Sequence, residues 1–152
     1  DVTTAEEMYE VVWKHYELSD IVIKAAAVAD YRPSEIHNQK MKKSEGSLQI
    51  ELERTKDILH SLGENKKEQF LVGFAAETTD PLEYGKKKLH EKNLDAIVIN
   101  NVTESGAGFG VDTNIVTYIN RELQQEHLSL APKSEIADQI VQLIYRDYEG
   151  NK

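Results

Sequence analysis

The chain has 152 residues, no cysteine and a formal net charge of −9, with 27 acidic against 18 basic side chains. That length suffices for one domain with a real core, and the missing cysteine excludes disulfides, zinc–thiolate sites and thiol nucleophiles. The acidic balance argues against a broad nucleic-acid-binding face, while the longest apolar run, 21–28, is broken by Lys24 and is far too short to span a membrane.

The opening "DVTTAEEMYE" has neither the basic nor the apolar region of a secretory signal; with the absence of cysteine this fits the cytoplasm. Thr4 and Glu7 have capping-box spacing, which predicts a helix over 5–16. "DIVIKAAAVAD" begins as a buried strand and becomes a run of small residues. "SLQIELERT" alternates Leu48, Ile50 and Leu52, the period of a half-buried strand. "KDILHSLGEN" reads as a short helix stopped near Gly63. "QFLVGFAAET" is another apolar strand ending in small residues. Asp80-Pro81 opens a helix reaching about Lys92, with proline in the first turn where its missing N–H is harmless. "DAIVINN" is a third buried strand. "NIVTYIN" and "EHLSL" form a hairpin around "RELQQ". An amphipathic helix over about 134–148 closes the chain, with Ile136, Ile140, Leu143 and Ile144 on one face.

Apolar strands alternating with helices give an α/β fold, a Rossmann-like, largely parallel sheet flanked by helices, with a hairpin extension, in one nucleotide-binding domain over 1–152. In such sheets ligands sit at the carboxyl ends of the strands. Three of those ends, "AAAVADYRP", "GFAAETTD" and "VINNVTES", are expected to line one crevice. A doubly wound nucleotide fold normally opens on a strand, a glycine-rich turn and a helix; this text opens on a helix cap, so the first βα unit is expected to be missing.

Each candidate site has a plain structural counterpart. Lys40, Lys42 and Lys43 in "NQKMKKSEG" form either a flap that closes on a polyphosphate or a solvated charge run. Ala25, Ala26 and Ala27 let a ligand approach the backbone, or let a helix pack closely; Asp30 accepts from a ribose or base, or belongs to a turn. Phe74 stacks on a base or fills the core; Glu77 hydrogen-bonds a ligand. Lys88 and Lys92 share a helix face at i,i+4 and repel unless an anion sits between them. "GAGFGV" at 106–111 mimics a dinucleotide loop, but its third glycine is misplaced and strand-like text follows instead of the helix that would hold a pyrophosphate. The five histidines lie in five segments without metal-ligand spacing, so no protein-built metal site is expected and Mg²⁺ would arrive on a nucleotide.

"AAAVADYRP", then Lys40-Met41-Lys42-Lys43, then "GFAAET" and "KNLDAIVINN" stand in an order that resembles phosphopantothenoylcysteine synthetase, over essentially the whole chain. The resemblance implies ligation of 4′-phosphopantothenate to cysteine with CTP as co-substrate, together with Mg²⁺. The carboxylate attacks the α-phosphate of CTP to give an acyl-cytidylate and pyrophosphate, and the cysteine amine then displaces CMP. It further implies that Lys40 acts catalytically on the triphosphate, with Lys42 and Lys43 beside it in the flap. Ala25, Ala26, Asp30, Lys56, Asp57, Ile58, Leu59, Phe74, Lys88 and Lys92 are implied nucleotide contacts. The "KDIL" segment stands where the family reads closer to N-P-D-I, so Lys56 departs from the pattern. Also implied are a homodimer and a fused or associated decarboxylase domain, with neither nucleic acid nor membrane as partner. The family's asparagine-bearing N-terminal segment is absent from this text, so the chain alone is expected to have little synthetase activity. Two rivals stand beside this reading: a non-catalytic nucleotide- or protein-binding offshoot of the same family, and an NAD(P)-dependent oxidoreductase fragment, which lacks a proper phosphate loop.

Overall fold

A computed structural model of the chain describes residues 1–35, 37, 39–40, 47–101 and 110–151. The first helix, α1 (Ala5–Tyr16), begins on the capping box read from the sequence. The Thr4 Oγ1 accepts the Glu7 N–H at 3.1 Å, and the Glu7 carboxylate accepts the N–H groups of Thr3 at 2.7 Å and Thr4 at 3.1 Å. Two of the four donors that an uncapped helix start would leave open, those of Thr4 and Glu7, are thereby satisfied.

Beyond α1 the chain forms β1 (Ile21–Lys24), β2 (Tyr31–Pro33), β3 (Leu52–Arg54), α2 (Ile58–Glu64), β4 (Phe70–Glu77), α3 (Pro81–Glu91), β5 (Ala96–Asn101), β6 (Thr113–Asn120), β7 (Gln125–Pro132) and α4 (Lys133–Gly150). The main sheet runs β1-β4-β5-β6-β7. Its first three strands are parallel, with Ile21 opposite Phe70 and Val72 opposite Ala96. The β6–β7 hairpin extends it antiparallel, with Val98 opposite Tyr118 and a bulge between Asn114 and Val116.

Side chains on successive strand residues point to opposite faces, and the two cores divide accordingly. Leu71, Ala75, Ile97, Ile99 and Ile119 face one way, against Tyr16 of α1, Ile58, Leu59 and Leu62 of α2, and Leu89 of α3. Phe70, Val72, Ala96, Val98, Val116 and Tyr118 face the other, against Ile136, Ile140, Leu143 and Ile144 of α4. The fold is therefore three layers, helices on both faces of a sheet whose centre is parallel, as the strand–helix alternation predicts. Each parallel crossover needs a helix to return the chain; α2 lies within the first and α3 forms the second. Among the described residues no helix is long and apolar enough to cross a membrane.

Two expectations are corrected. The alternating stretch Leu48, Ile50, Leu52 is not half-buried: these side chains are 62%, 61% and 55% exposed. Only its end forms β3, which pairs antiparallel with β2 in a separate two-stranded ribbon, Arg32 reaching Glu53 at 2.7 Å. Alternation tells which side chains share a face, not that another layer covers it. Likewise β1 is not a fully buried strand but an edge, paired only with β4 and with Ile23 exposed.

Candidate functional site

At the carboxyl ends of β1 and β4 lies a cleft of about 180 Å³. One wall is Lys24 and the loop 26–30; a second is Thr55, Lys56, Asp57 and Ile58 at the entry to α2; Phe74 of β4 and Lys88 and Lys92 of α3 complete it. The loop is pinned to the α2 entry by two bonds: the Thr55 N–H donates to the Asp30 carbonyl at 2.9 Å, and the Thr55 hydroxyl to that of Ala29 at 2.5 Å. Closure by one backbone and one small hydroxyl donor holds the strand-end loop without bulky side chains.

Asp57 is the N-cap of α2. Its Oδ1 accepts the His60 N–H at 3.0 Å, and its Oδ2 accepts Lys92 Nζ at 2.8 Å. Burial alone would raise this carboxyl, but the bonds from Lys92 and the His60 N–H outweigh it and hold the group below its ordinary value. Lys88 donates to Glu77 at 2.5 Å, so the second helix lysine is paired to the end of β4. Lys56 donates to Glu6 of α1 at 2.6 Å and lies 4.5 Å from the centre of the Tyr9 ring. The mutual repulsion expected of Lys88 and Lys92 is thus relieved by carboxylates from two other segments.

Lys24 differs. Its Nζ donates to the Ala26 carbonyl at 3.1 Å. Burial, and next the charge of Lys92, push its ammonium below the ordinary lysine value, partly opposed by Asp57 and Asp30.

Of the residues named from the sequence, Ala26, Asp30, Lys56, Asp57, Ile58, Phe74, Lys88 and Lys92 come together in this cleft. Phe74 is 38% exposed and so is not a core aromatic. Ala25 is exposed beyond the end of β1 but does not line the cleft, and Leu59, 6% exposed, packs into the core on the helix side of the sheet. Ile58, 2% exposed, packs into the same core and only borders the cleft. Lys40 is exposed and outside the lining; Lys42 and Lys43 fall outside the described residues. Val98, Ile99 and Asn100 are not among the described lining of the cleft, and 102–105, the rest of the third expected strand end, lie outside the described residues. The glycine-rich stretch is described only from Gly110, whose φ is 78°, and β6 follows at Thr113, so the text after it is strand as read. Among the described residues no three His, Asp or Glu side chains gather to hold a metal ion.

The sequence reading passed over Lys24 and Thr55. A signal existed for Lys24, since a lysine that interrupts an apolar strand at its carboxyl end is placed at the ligand side of an α/β sheet. Thr55 carried none, because its role rests on a loop 26 positions away. On the far side of 27–29 a larger groove of about 710 Å³ runs between the first turn of α1 and the β2–β3 ribbon, sharing Thr55 and Lys56 with the cleft. Together an aromatic face and several ammonium groups suit a planar base joined to phosphates, the lysines exchanging protein carboxylates for phosphoryl oxygens.

Comparison with known proteins gives the following. Residues 1–148 match the family described as "DNA/pantothenate metabolism flavoprotein C-terminal domain". The chain is 52% identical over 143 residues to the coenzyme A biosynthesis bifunctional protein CoaBC of Bacillus subtilis (strain 168), covering 94% of this chain and 35% of that protein. It is 42% identical over 145 residues to a cysteine/cysteine sulfinic acid decarboxylase from an unknown prokaryotic organism, covering 95% of this chain and 40% of that protein. Its fold superposes on the crystal structure of the C-terminal domain of a CoaBC with a TM-score of 0.79 at 44% identity, covering 98% of this chain and 65% of that one. The chain therefore spans 35–40% of the length of these two curated relatives.

Proposed function

The chain belongs to the DNA/pantothenate metabolism flavoprotein C-terminal domain family, and we propose that it carries the nucleotide site of a CTP-dependent ligase that joins 4′-phosphopantothenate to cysteine. The observation that carries this reading is the cleft itself: residues from four separate stretches, 24–30, 55–58, Phe74 and Lys88 with Lys92, meet at the carboxyl ends of two parallel strands. The similarity to coenzyme A biosynthesis proteins supports the pathway.

In this reading Phe74 takes the cytosine face, and backbone groups near Asp57 read its edge. Lys88 and Lys92 take phosphoryl oxygens, releasing Glu77 and Asp57. Lys40 meets the triphosphate from the flap, with Lys42 and Lys43 beside it. The carboxylate of 4′-phosphopantothenate attacks the α-phosphorus, an acyl–phosphate bond forms and the bond to pyrophosphate breaks. The cysteine amine then attacks the acyl carbon, forms the amide, loses a proton and expels CMP. Fixed cations matter because the first step gathers several negative charges at one phosphorus, and preorganised positive groups stabilise them without reorganising. Mg²⁺ enters as the CTP complex. A homodimer and an associated decarboxylase domain belong to the same proposal, the latter supported by the word "bifunctional" in the relatives' names.

The test is calorimetric titration of the full-length protein with CTP, ATP and NADH, each with Mg²⁺, repeated on Lys40→Ala, together with an assay of pyrophosphate release. The expected result is selective CTP binding, weakened by the substitution, and pyrophosphate release that requires 4′-phosphopantothenate. Undiminished CTP binding in Lys40→Ala with no turnover in either protein would instead indicate a non-catalytic offshoot. Tight NADH binding without CTP binding would overturn the ligase reading.

A further inference from the structure

The lysines of the cleft are not equivalent. Lys56, Lys88 and Lys92 each hold a carboxylate oxygen, at 2.6, 2.5 and 2.8 Å. An anion that binds them competes with Glu6, Glu77 or Asp57 for a charge that is already partly neutralised, so part of each gain is offset. Lys24 is half-buried at the end of β1, and among the described residues it has no ion-pair partner; its hydrogen bond goes to the Ala26 carbonyl at 3.1 Å. An ammonium has three donors, and an uncompensated one in a partly dry cleft is costly until an anion arrives.

We infer that Lys24 is the anion-receiving group of this cleft, the ammonium that binds a phosphoryl oxygen of the nucleotide without displacing a protein carboxylate. It rests on the reading of the cleft as a nucleotide site and adds a residue to it. Three features converge: Lys24 lines the same wall as Ala26 and Asp30, it faces Lys92 and Asp57 across the cleft, and the penalty on its charge from burial and from Lys92 is one that the negative charge of a bound phosphate offsets. Asp30 and Asp57 attract the ammonium from a distance and partly oppose that penalty.

The probes are Mg²⁺–CTP, inorganic pyrophosphate and cytidine, titrated into the full-length protein, Lys24→Met, Lys24→Gln and Lys24→Arg. Removing the charge is expected to weaken CTP and pyrophosphate roughly ten- to a hundred-fold, the range of a hydrogen bond to a charged group. The salt dependence of binding becomes shallower as well. Cytidine, which has no phosphate, is bound equally by all four proteins, and arginine retains most of the affinity. CTP and pyrophosphate binding unchanged in Lys24→Met and Lys24→Gln overturns the inference while leaving the nucleotide site standing. Equal losses for cytidine and CTP overturn it too, because they mark a structural role. If the unsubstituted protein binds neither CTP nor pyrophosphate, the nucleotide reading falls and this inference with it.

Discussion

Asp57 joins fold and site in one side chain. It caps α2 through the His60 N–H and holds Lys92 in place. Asp57→Ala removes both bonds and is expected to cost about 1–2 kcal/mol in urea unfolding, near the upper end for a lost N-cap. Asp57→Asn keeps the cap oxygen and costs less. The pH dependence separates the two roles. A carboxyl held below its ordinary value of 3.8 in the folded state contributes stability that is fully present above that value. The contribution is lost as pH falls through the lower folded value, because protonation removes the charge that both bonds favour. Stability measured between about pH 6 and about pH 3 should therefore fall less steeply in Asp57→Asn than in the unsubstituted protein. A slope unchanged by the substitution would show that other carboxyls carry the acid sensitivity.

Asp95 carries more at the opposite end of the strands. It is 7% exposed and accepts from Lys66 at 2.6 Å, from the Leu71 N–H at 2.7 Å and from Arg121 at 3.4 Å. Lys66 is itself 8% exposed at its side chain. Asp95→Ala strands a buried ammonium and a backbone donor, and should cost about 3–5 kcal/mol in chemical unfolding. Because the residue is far from the cleft in role, CTP affinity of the folded variant should be retained.

Between elements, the critical contact is the approach of α2 to the end of α3. A Cβ built at Gly63 would lie 1.9 Å from the Lys92 carbonyl oxygen. The obstacle is backbone, so a rotamer change cannot relieve it, and Gly63→Ala forces the two helices apart despite alanine's better helix propensity. We expect a loss of about 1–3 kcal/mol in stability. Because Lys92 shifts with its helix, CTP affinity should weaken in step, a coupling visible by calorimetry on the folded fraction. Gly85→Ala is the control. It would press on Ile99 Cδ1 at 2.1 Å, a side chain in the core, and should destabilise without altering the Lys92–Asp57 pair. The ribbon of β2 and β3 shows the opposite situation: paired through Arg32 and Glu53 and largely exposed, it is expected to open at lower free energy than the main sheet, with early hydrogen exchange at 31–32 and 52–54.

For the whole molecule, ligand binding and folding are linked. A ligand that binds only the folded state at about a hundred times its dissociation constant adds about 2.7 kcal/mol. For a chain of this size that corresponds to a rise of very roughly 5–10 °C in the thermal midpoint. Mg²⁺–CTP should produce such a rise and Mg²⁺ alone should not. No shift with CTP at saturating concentration would contradict the proposed nucleotide site.

Much of this was written locally. The Thr4–Glu7 cap, the amphipathic α4 and the apolar strands β4 and β5 depend on residues a few positions apart, and their patterns survive any tertiary arrangement. Placement of Ala26, Asp30 and Phe74 at the ligand end of the sheet followed from strand direction, while Lys88 was tied to the nucleotide only by the resemblance. What the sequence could not determine were contacts between segments distant in the chain. Lys92 meets Asp57 across 35 positions, and Thr55 meets Ala29 across 26. Leu48, Ile50 and Leu52 alternate as a half-buried strand would, yet are left exposed, and Ile58 and Leu59, both expected at the nucleotide, pack into the core. Periodicity encodes which side chains share a face; whether that face meets a helix, a ligand or water is decided only when the elements pack. For the same reason Lys24 reads as an interruption in an apolar run, and only the packed sheet shows its ammonium at the cleft without a carboxylate of its own among the described residues.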